Sequence, residues 1–348
     1  MRAFVTGATG LIGNHVVKSL VSGGHAVTAL ARPTSNIEFL PAEIDLIHGD
    51  ILEGDGLKNA AKGCDIIFHT AGAFAYWGYD AQKFIGEAVT GMENVITAAA
   101  ANGIQKVIFT SSSVTTGASE DRRELAELSP GNFDDAPDYV VAKVQQEQTA
   151  FSVAKKYGVD VIAICPTITV GGPDLHLTES NRMMVNYIKD PYKSTWIGGC
   201  NIVSAGDVAK AMVLLAEKGK PGERYIAGSD NLEWKQVHAK ISELCGLPGP
   251  YFTAMRTSSY LISAMHELWY QVSNERPTST REQAKMVGKY YWYSSQKLKE
   301  LGYQPASSEV AMIQALSWLV TSEHISASLR ATIHLDDKIY AYRGTRLY

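Results

Sequence analysis

Tyr139 and Lys143 stand four residues apart in the run Tyr139-Val140-Val141-Ala142-Lys143. On a helix that spacing puts a phenol and an ammonium on one face. A nearby ammonium favours phenolate and lowers the phenol's pKa towards working pH. That suits a group that gives or takes a proton while a hydride moves. The spacing by itself also occurs by chance on solvated helices, so its surroundings matter. Upstream, Phe109-Thr110-Ser111-Ser112-Ser113 offers a hydroxyl to hold a substrate oxygen beside the phenol. In His69-Thr70-Ala71-Gly72, the small residues Ala71 and Gly72 let a nicotinamide ribose come close.

A second group of residues suits a dinucleotide. Thr6-Gly7-Ala8-Thr9-Gly10-Leu11-Ile12-Gly13 has glycines at 7, 10 and 13. The first serves a tight turn, the second close approach of backbone to pyrophosphate, the third helix–strand packing. The helix start that follows offers free N–H groups and a positive dipole end to phosphate. The acidic residue that would bind a ribose 2′-hydroxyl is missing where the second strand ends; Arg32 stands there instead, followed by Thr34 and Ser35. A guanidinium suits the 2′-phosphate of NADP. Asp50-Ile51 is placed to meet the adenine, or is an ordinary loop pair.

Alternating elements must position these residues. Strands are predicted at Ala3–Thr6, Ala26–Ala31, Asp45–His48, Asp65–Thr70, Lys106–Ser111 and Val159–Cys165. Helices are predicted at Ile12–Ser22, Leu57–Ala61, Ala81–Asn102 and Tyr139–Tyr157. That alternation means βαβ units in a Rossmann-type, doubly wound parallel α/β sheet, with a smaller C-terminal α/β substrate lobe. The expected division is a dinucleotide-binding domain over 1–170, a mainly substrate-binding lobe over 171–323 with segments returning to the first core, and a tail over 324–348 with no assigned role. The apolar helical pattern in Ser258–Gln271 is read as core, or as a pocket wall. Charge is −4 from 32 basic and 36 acidic residues, so nothing in the overall balance points to nucleic acid or an anionic membrane. No apolar run reaches the ~18–20 residues of a transmembrane helix. Four cysteines without a CxxC pair, and a start that leads straight into the glycine motif, predict reduced thiols, no metal site and a cytoplasmic protein.

TGATGLIG, Asp50-Ile51, HTAG, FTSSS and YVVAK occur in an order that resembles an extended short-chain dehydrogenase/reductase. Within that superfamily the chain is similar to dihydroflavonol-reductase-like proteins and to the hopanoid-associated sugar epimerase group. Leu30-Ala31-Arg32-Pro33, Cys165–Gly171 with Pro173-Asp174, Asp207-Val208-Ala209 and Gly222–Ile226 carry that likeness over roughly residues 1–320. The resemblance implies Ser112 as catalytic serine, with Ser111 and Ser113 as rivals. It implies Tyr139 as acid/base and Lys143 as the group that binds ribose and tunes the Tyr. Implied cofactor contacts are Gly7, Thr9, Gly10, Leu11, Ile12, Arg32, Asp50, Ile51, Ala71, Gly72, Lys143, Pro166, Thr167 and Ile168. It also implies a homodimer paired through the two long helices.

Phe74, Tyr76 and Trp77 follow the fourth strand and suggest an apolar or aromatic substrate wall, or a loop anchored by its own rings. His176 is a further candidate substrate contact. Arg182, Lys189 and Lys193 look scattered along a solvated face rather than built to grip a diphosphate. The expected function is therefore an NADPH-dependent reductase of a ketone or aldehyde on a hydrophobic or aromatic small molecule. The alternatives are an NAD-dependent nucleotide-sugar epimerase or dehydratase, a 3-beta-hydroxysteroid-type dehydrogenase, and a non-catalytic sensor. Arg32 counts against an epimerase, and so does Ala88 where many extended members carry Asn.

Overall fold

The computed structural model describes residues 1–72 and 74–344. Its first strand, β1 (Arg2–Thr6), is buried from Ala3 onward, as a strand covered on both faces must be. It feeds α1 (Leu11–Ser22), and the alternation continues through β2 (Ala26–Ala31), β3 (Asp45–His48), α2 (Gly54–Ala60), β4 (Ile66–His69), α3 (Ala81–Ala101), β5 (Lys106–Thr110), α4 (Asp138–Tyr157) and β6 (Asp160–Pro166). The second half adds β7 (Ile168–Val170), α5 (Glu179–Lys189), β8 (Ser194–Trp196), β9 (Gly199–Ser204), α6 (Ala205–Lys218) and β10 (Arg224–Ala227). Then come β11 (Asp230–Glu233), α7 (Trp234–Cys245), β12 (Phe252–Ala254), α8 (Arg256–Ser273), α9 (Arg281–Ala284), α10 (Gln296–Lys299), α11 (Ser308–Leu319), α12 (Ala327–Arg330) and α13 (Asp337–Gly344).

Seven parallel strands form the main sheet in the order β3-β2-β1-β4-β5-β6-β10. The order reverses between β1 and β4, which opens a crevice at their carboxyl ends. Side chains alternate between faces. Val5, Phe68, Ile108 and Ile164 pack towards α1 and α6, while Phe4, Ile67, Val107 and Val161 pack towards α2, α3 and α4. The rule of two residues per face thus accounts for two cores from one set of apolar strands.

Helix α4 has clear end signals. Pro137 precedes it in an extended conformation, Asp138 lies in its first turn, and Lys155 and Lys156 lie in its last. These charges oppose the helix dipole. Gly158 closes it in the left-handed region at φ 68°. Asp80 caps α3 by accepting from the Lys83 N–H at 2.8 Å.

Past β6 the chain builds a second layer. β7, β9 and β11 form a three-stranded sheet, with β7 parallel and β11 antiparallel to β9. Met184, Ile188, Ile241 and Leu316 from α5, α7 and α11 cover it. α6 and β10 return to the main sheet. The tail that carried no assignment packs on this second core through Ile325 and Ile339, while residues 345–348 lie outside the described residues. The expectation that Ser258–Gln271 is core is corrected: α8 forms, but only Ser263 and Glu267 are buried in it. Lys193 is also not on a solvated face. It is buried, and its Nζ donates to the carbonyls of Tyr187, Ile188 and Asp190 at the end of α5.

Candidate active site

Parallel strands bring the predicted residues to one edge. Gly7 follows β1, Arg32 follows β2, Asp50 follows β3, Ala71 and Gly72 follow β4, Ser112 follows β5, and Thr167 follows β6. The crevice itself is braced by polar side chains. Thr6 Oγ1 meets His69 Nδ1 at 2.7 Å, and the Thr70 hydroxyl donates to the Thr6 carbonyl at 2.7 Å. Burial and the Lys143 charge hold His69 neutral, its pKa lowered to about 3.

The glycine turn has the geometry a dinucleotide needs. Gly7 sits at φ +72°, where a Cβ would come within 2.5 Å of the Ala71 nitrogen. A Cβ on Gly13 would sit 2.1 Å from the Gly7 carbonyl oxygen, so β1, β4 and α1 close on each other only through these glycines. At Gly10 the same atom would meet just the Gly7 carbonyl at 3.3 Å, which leaves the front of the turn accessible. Gly10 is the N-cap of α1 with no side-chain cap, and no acidic residue stands in the first turn. Its orphan N–H groups suit an anion. Thr9 and Ile12 are half-buried around the turn, and Leu11 is buried near Gly171.

Arg32 is exposed and makes no ion pair among the described residues. Asp50 is turned to its own loop, accepting from the Leu52 N–H at 3.0 Å. Ile51 packs against α3 at Gly91, and its carbonyl accepts from Asn94 at 2.9 Å. Pro166 and Thr167 are buried, with Thr167 donating to Asn201 at 2.9 Å; Ile168 is half-buried at the start of β7.

Three neighbouring serines face three different side chains. Ser111 donates to Glu147 at 2.5 Å. Ser113 lies beside the Tyr293 phenol, which donates to the Gly117 carbonyl at 2.7 Å. Ser112 lies beside the Tyr139 phenol, and its Oγ accepts from the Val114 N–H at 3.4 Å. Of the three, Ser112 is the one that faces the Tyr139 phenol. Burial pushes Tyr139 up to about 12, and the Ser112 hydroxyl works against it. Lys143, expected to lower the phenol's pKa, is instead occupied with the Thr110 carbonyl at 3.2 Å and Gln146 at 3.1 Å. Burial lowers Lys143 to about 8, opposed by the Glu147 charge. A Cβ on Gly72 would lie 3.5 Å from the Lys143 ammonium, so the β4 turn and the lysine face one space.

A model of the NAD dependent epimerase/dehydratase family matches residues 3–228. The chain belongs to this family. It is an NAD(P)-dependent oxidoreductase, and the cofactor of its family is a nicotinamide dinucleotide. The chain is similar to a candidate dihydroflavonol 4-reductase of Synechocystis sp., 28% identical over 90% of this chain and 93% of that one. It is similar to cinnamoyl-CoA reductase 1 of Oryza sativa subsp. japonica, 28% identical over 92% and 91%. Among solved structures it is similar to gox2253, with 29% identity, a TM-score of 0.82 and coverage of 93% and 99%.

In this oxidoreductase the aromatic loop divides. Phe74 and Tyr76 pack on the Tyr139 ring, with centroids 4.6 and 5.7 Å away. Trp77 turns instead to Tyr270 on α8, at 5.5 Å. His176 is exposed on its loop, and the residue that organises that loop is Asp174. Its carboxylate accepts from the Thr178 N–H, the Thr178 hydroxyl and Asn181. Arg182 is half-buried and shares the buried Glu179 with Arg276.

Sequence reasoning missed Glu147. Its Oε2 accepts from Ser111 and Thr115, and its Oε1 lies 3.5 Å from Arg224. The signal was available: Tyr139, Lys143 and Glu147 continue one i, i+4 row along α4. Arg224 completes the cluster by donating to Thr115 and Thr116 at 2.5 and 3.0 Å.

Proposed function

We propose that the protein is an NADPH-dependent reductase acting on a ketone or aldehyde of a hydrophobic or aromatic small molecule. The observation that carries this reading is the pairing of a protonated phenol with an aromatic wall: Tyr139 faces Ser112 while Phe74 and Tyr76 lie against its ring. Arg32, exposed at the end of β2 where an acidic residue would select NAD, supports NADPH. Relatives described as dihydroflavonol 4-reductase and cinnamoyl-CoA reductase, similar over nine-tenths of the chain, support a carbonyl substrate with an aromatic part.

The bound nicotinamide supplies the hydride. The chain supplies the proton and the alignment. A phenol with a pKa of about 12 keeps its proton at neutral pH, so Tyr139 acts as the acid: its O–H bond breaks as the proton passes to the carbonyl oxygen. Ser112 donates a hydrogen bond to the same oxygen and holds it within reach of the phenol. The Lys143 ammonium binds the ribose and places a positive charge where it favours the transient phenolate, which then takes a proton from water. Phe74 and Tyr76 exclude water from the reacting oxygen, which strengthens both hydrogen bonds.

The deciding experiment is cofactor status. Purified protein is stripped of any nucleotide, the nucleotide is identified, and NADPH and NADH are titrated. Empty protein that prefers NADPH at least tenfold is the expected result. Stoichiometric NAD that survives purification would overturn it in favour of an epimerase or dehydratase.

A further inference from the structure

We propose that the hydroxyls of Tyr76 and Tyr291 are a second polar contact for the substrate, and that they hold a neutral oxygen of it apart from the carbonyl served by Tyr139 and Ser112. This rests on the reductase reading above and narrows its substrate class to a hydrophobic carbonyl compound that carries a further hydroxyl, ether or carbonyl oxygen.

The two residues come from distant parts of the chain to one place. Tyr76 follows β4 and packs on the Tyr139 ring at 5.7 Å. Tyr291 lies beyond α9, where its N–H donates to the Gly199 carbonyl of β9 at 2.9 Å. On either side of it, the backbones of Tyr290 and Trp292 bond those of Ser119 and Leu125. These bonds hold the ring in the buried cluster that also contains Tyr76 and Tyr139. Tyr76 faces both of the other phenols.

A buried phenol usually finds a partner for its O–H. Other tyrosines of this protein do: Tyr293 donates to the Gly117 carbonyl at 2.7 Å, and the hydroxyls of Tyr187 and Ser242 pair at 2.7 Å. Tyr76 and Tyr291 are enclosed too, each 8% exposed, yet neither hydroxyl bonds any described residue. They also differ from Tyr79 and Tyr303, whose unpartnered hydroxyls are sealed from solvent, while those of Tyr76 and Tyr291 keep an opening. Two donors that are anchored, unpartnered and reachable, beside the phenol that serves the reaction, are placed for an oxygen of the ligand.

Charge selects the kind of oxygen. Burial raises both phenols far above their usual range, so both are O–H donors at every working pH. The charged groups that face them are already paired. Glu179, which faces Tyr76, is held by Arg182 and Arg276. Arg256, which faces Tyr291, is 2.6 Å from Asp135. An anionic group entering this space would lose its water without meeting a free cation among the groups that face it. A neutral oxygen accepts both hydrogen bonds without that cost.

The test uses aromatic aldehydes with a methoxy group at each ring position, each matched with the ethyl compound of the same shape. Binding is measured by calorimetry on the full chain saturated with oxidised cofactor, and turnover is measured with reduced cofactor. At least one methoxy compound is expected to bind wild type about 10-fold more tightly than its ethyl match, the effect of two neutral hydrogen bonds. The ethyl group leaves both hydroxyls unpaired, which is how a polar site rejects an analogue that lacks the oxygen. Tyr76→Phe and Tyr291→Phe keep the rings. Each should reduce that preference about 3-fold, and the double variant should abolish it. Wild type without any methoxy preference would overturn the proposal, and that arm needs no variant to fold. A preference that the variants keep, or an equal loss for both members of a pair, would overturn it as well. The two readings fail separately. Turnover without a methoxy preference strikes the second contact and leaves the reductase. A methoxy preference in binding, with no aldehyde turned over, strikes the reductase and leaves the two hydroxyls as a ligand contact.

Discussion

Replacing Glu147 by Gln should weaken the fold and shift the pH profile together. The carboxylate accepts from Ser111 and Thr115 at 2.5 and 3.0 Å and lies 3.5 Å from Arg224, whose side chain is only 19% exposed. An amide keeps the two hydroxyl bonds through its oxygen but turns an NH2 towards the guanidinium. Leaving a largely buried charge without its partner costs about 3 kcal/mol. At ~2 °C per kcal/mol for a chain of this size, Tm falls by about 6 °C. Glu147 also supports the Lys143 charge against burial, so without it the lysine pKa drops below about 8. Lys143 is charged below that pKa and neutral above it. Activity that needs the ammonium is present at low pH and lost as pH rises, so the alkaline limb of kcat/KM should move to lower pH. Thermal unfolding and pH–rate profiles of wild type, Glu147→Gln, Arg224→Gln and the double variant test both parts. The double-mutant cycle should show a coupling of at least ~1 kcal/mol between the two residues. A Tm within about 1 °C of wild type together with an unmoved alkaline limb would refute the reasoning.

Three further outcomes follow from the same geometry. Tyr139→Phe keeps the ring that Phe74 and Tyr76 pack on but removes the proton donor, so kcat should fall ~100- to 10,000-fold while NADPH binding holds; wild-type turnover would sink the mechanism. Arg32→Ala should weaken NADPH binding by ~10- to 100-fold, the worth of a charged hydrogen bond, and leave NADH unchanged; an equal loss for both cofactors would remove Arg32 as a selector. Gly13→Ala puts a methyl 2.1 Å from the Gly7 carbonyl and should cost ~1–3 kcal/mol in chemical denaturation as well as cofactor affinity. Gly10→Ala, with only a 3.3 Å contact, should lower affinity alone, and a matching stability loss at Gly10 would contradict the roles given to the two glycines.

Much of the sheet was legible because its strands are short apolar runs between strong punctuation. The predicted Asp45–His48 is β3, and Ala26–Ala31 is β2. The glycine turn was readable because its three glycines fall in one short run between a strand and a helix, with Gly13 demanded by the Gly7 carbonyl six residues back. The second lobe was less readable. β8 and β12 are three residues each and pair with one another across more than fifty residues, and a three-residue strand carries too little pattern to show itself.

Sequence alone determined the chemistry available: a Tyr and a Lys on one helical row, a serine strand end, a phosphate turn, and Arg in place of an acid after β2. These are local matters of residue type and spacing. Tertiary structure decided which groups are free to act. It bonded Ser111 to Glu147 and turned Ser112 towards Tyr139, a choice that three identical side chains in a row cannot express. It buried Tyr139 and Lys143 together, so that desolvation moves the phenol up and the ammonium down, whereas spacing had suggested a phenol lowered by its neighbour. It also turned the apolar stripe of α8 outward, because the polar bonds of Glu267 and Ser263 fix the opposite face, and periodicity shows that a helix has two faces without showing which one the protein keeps.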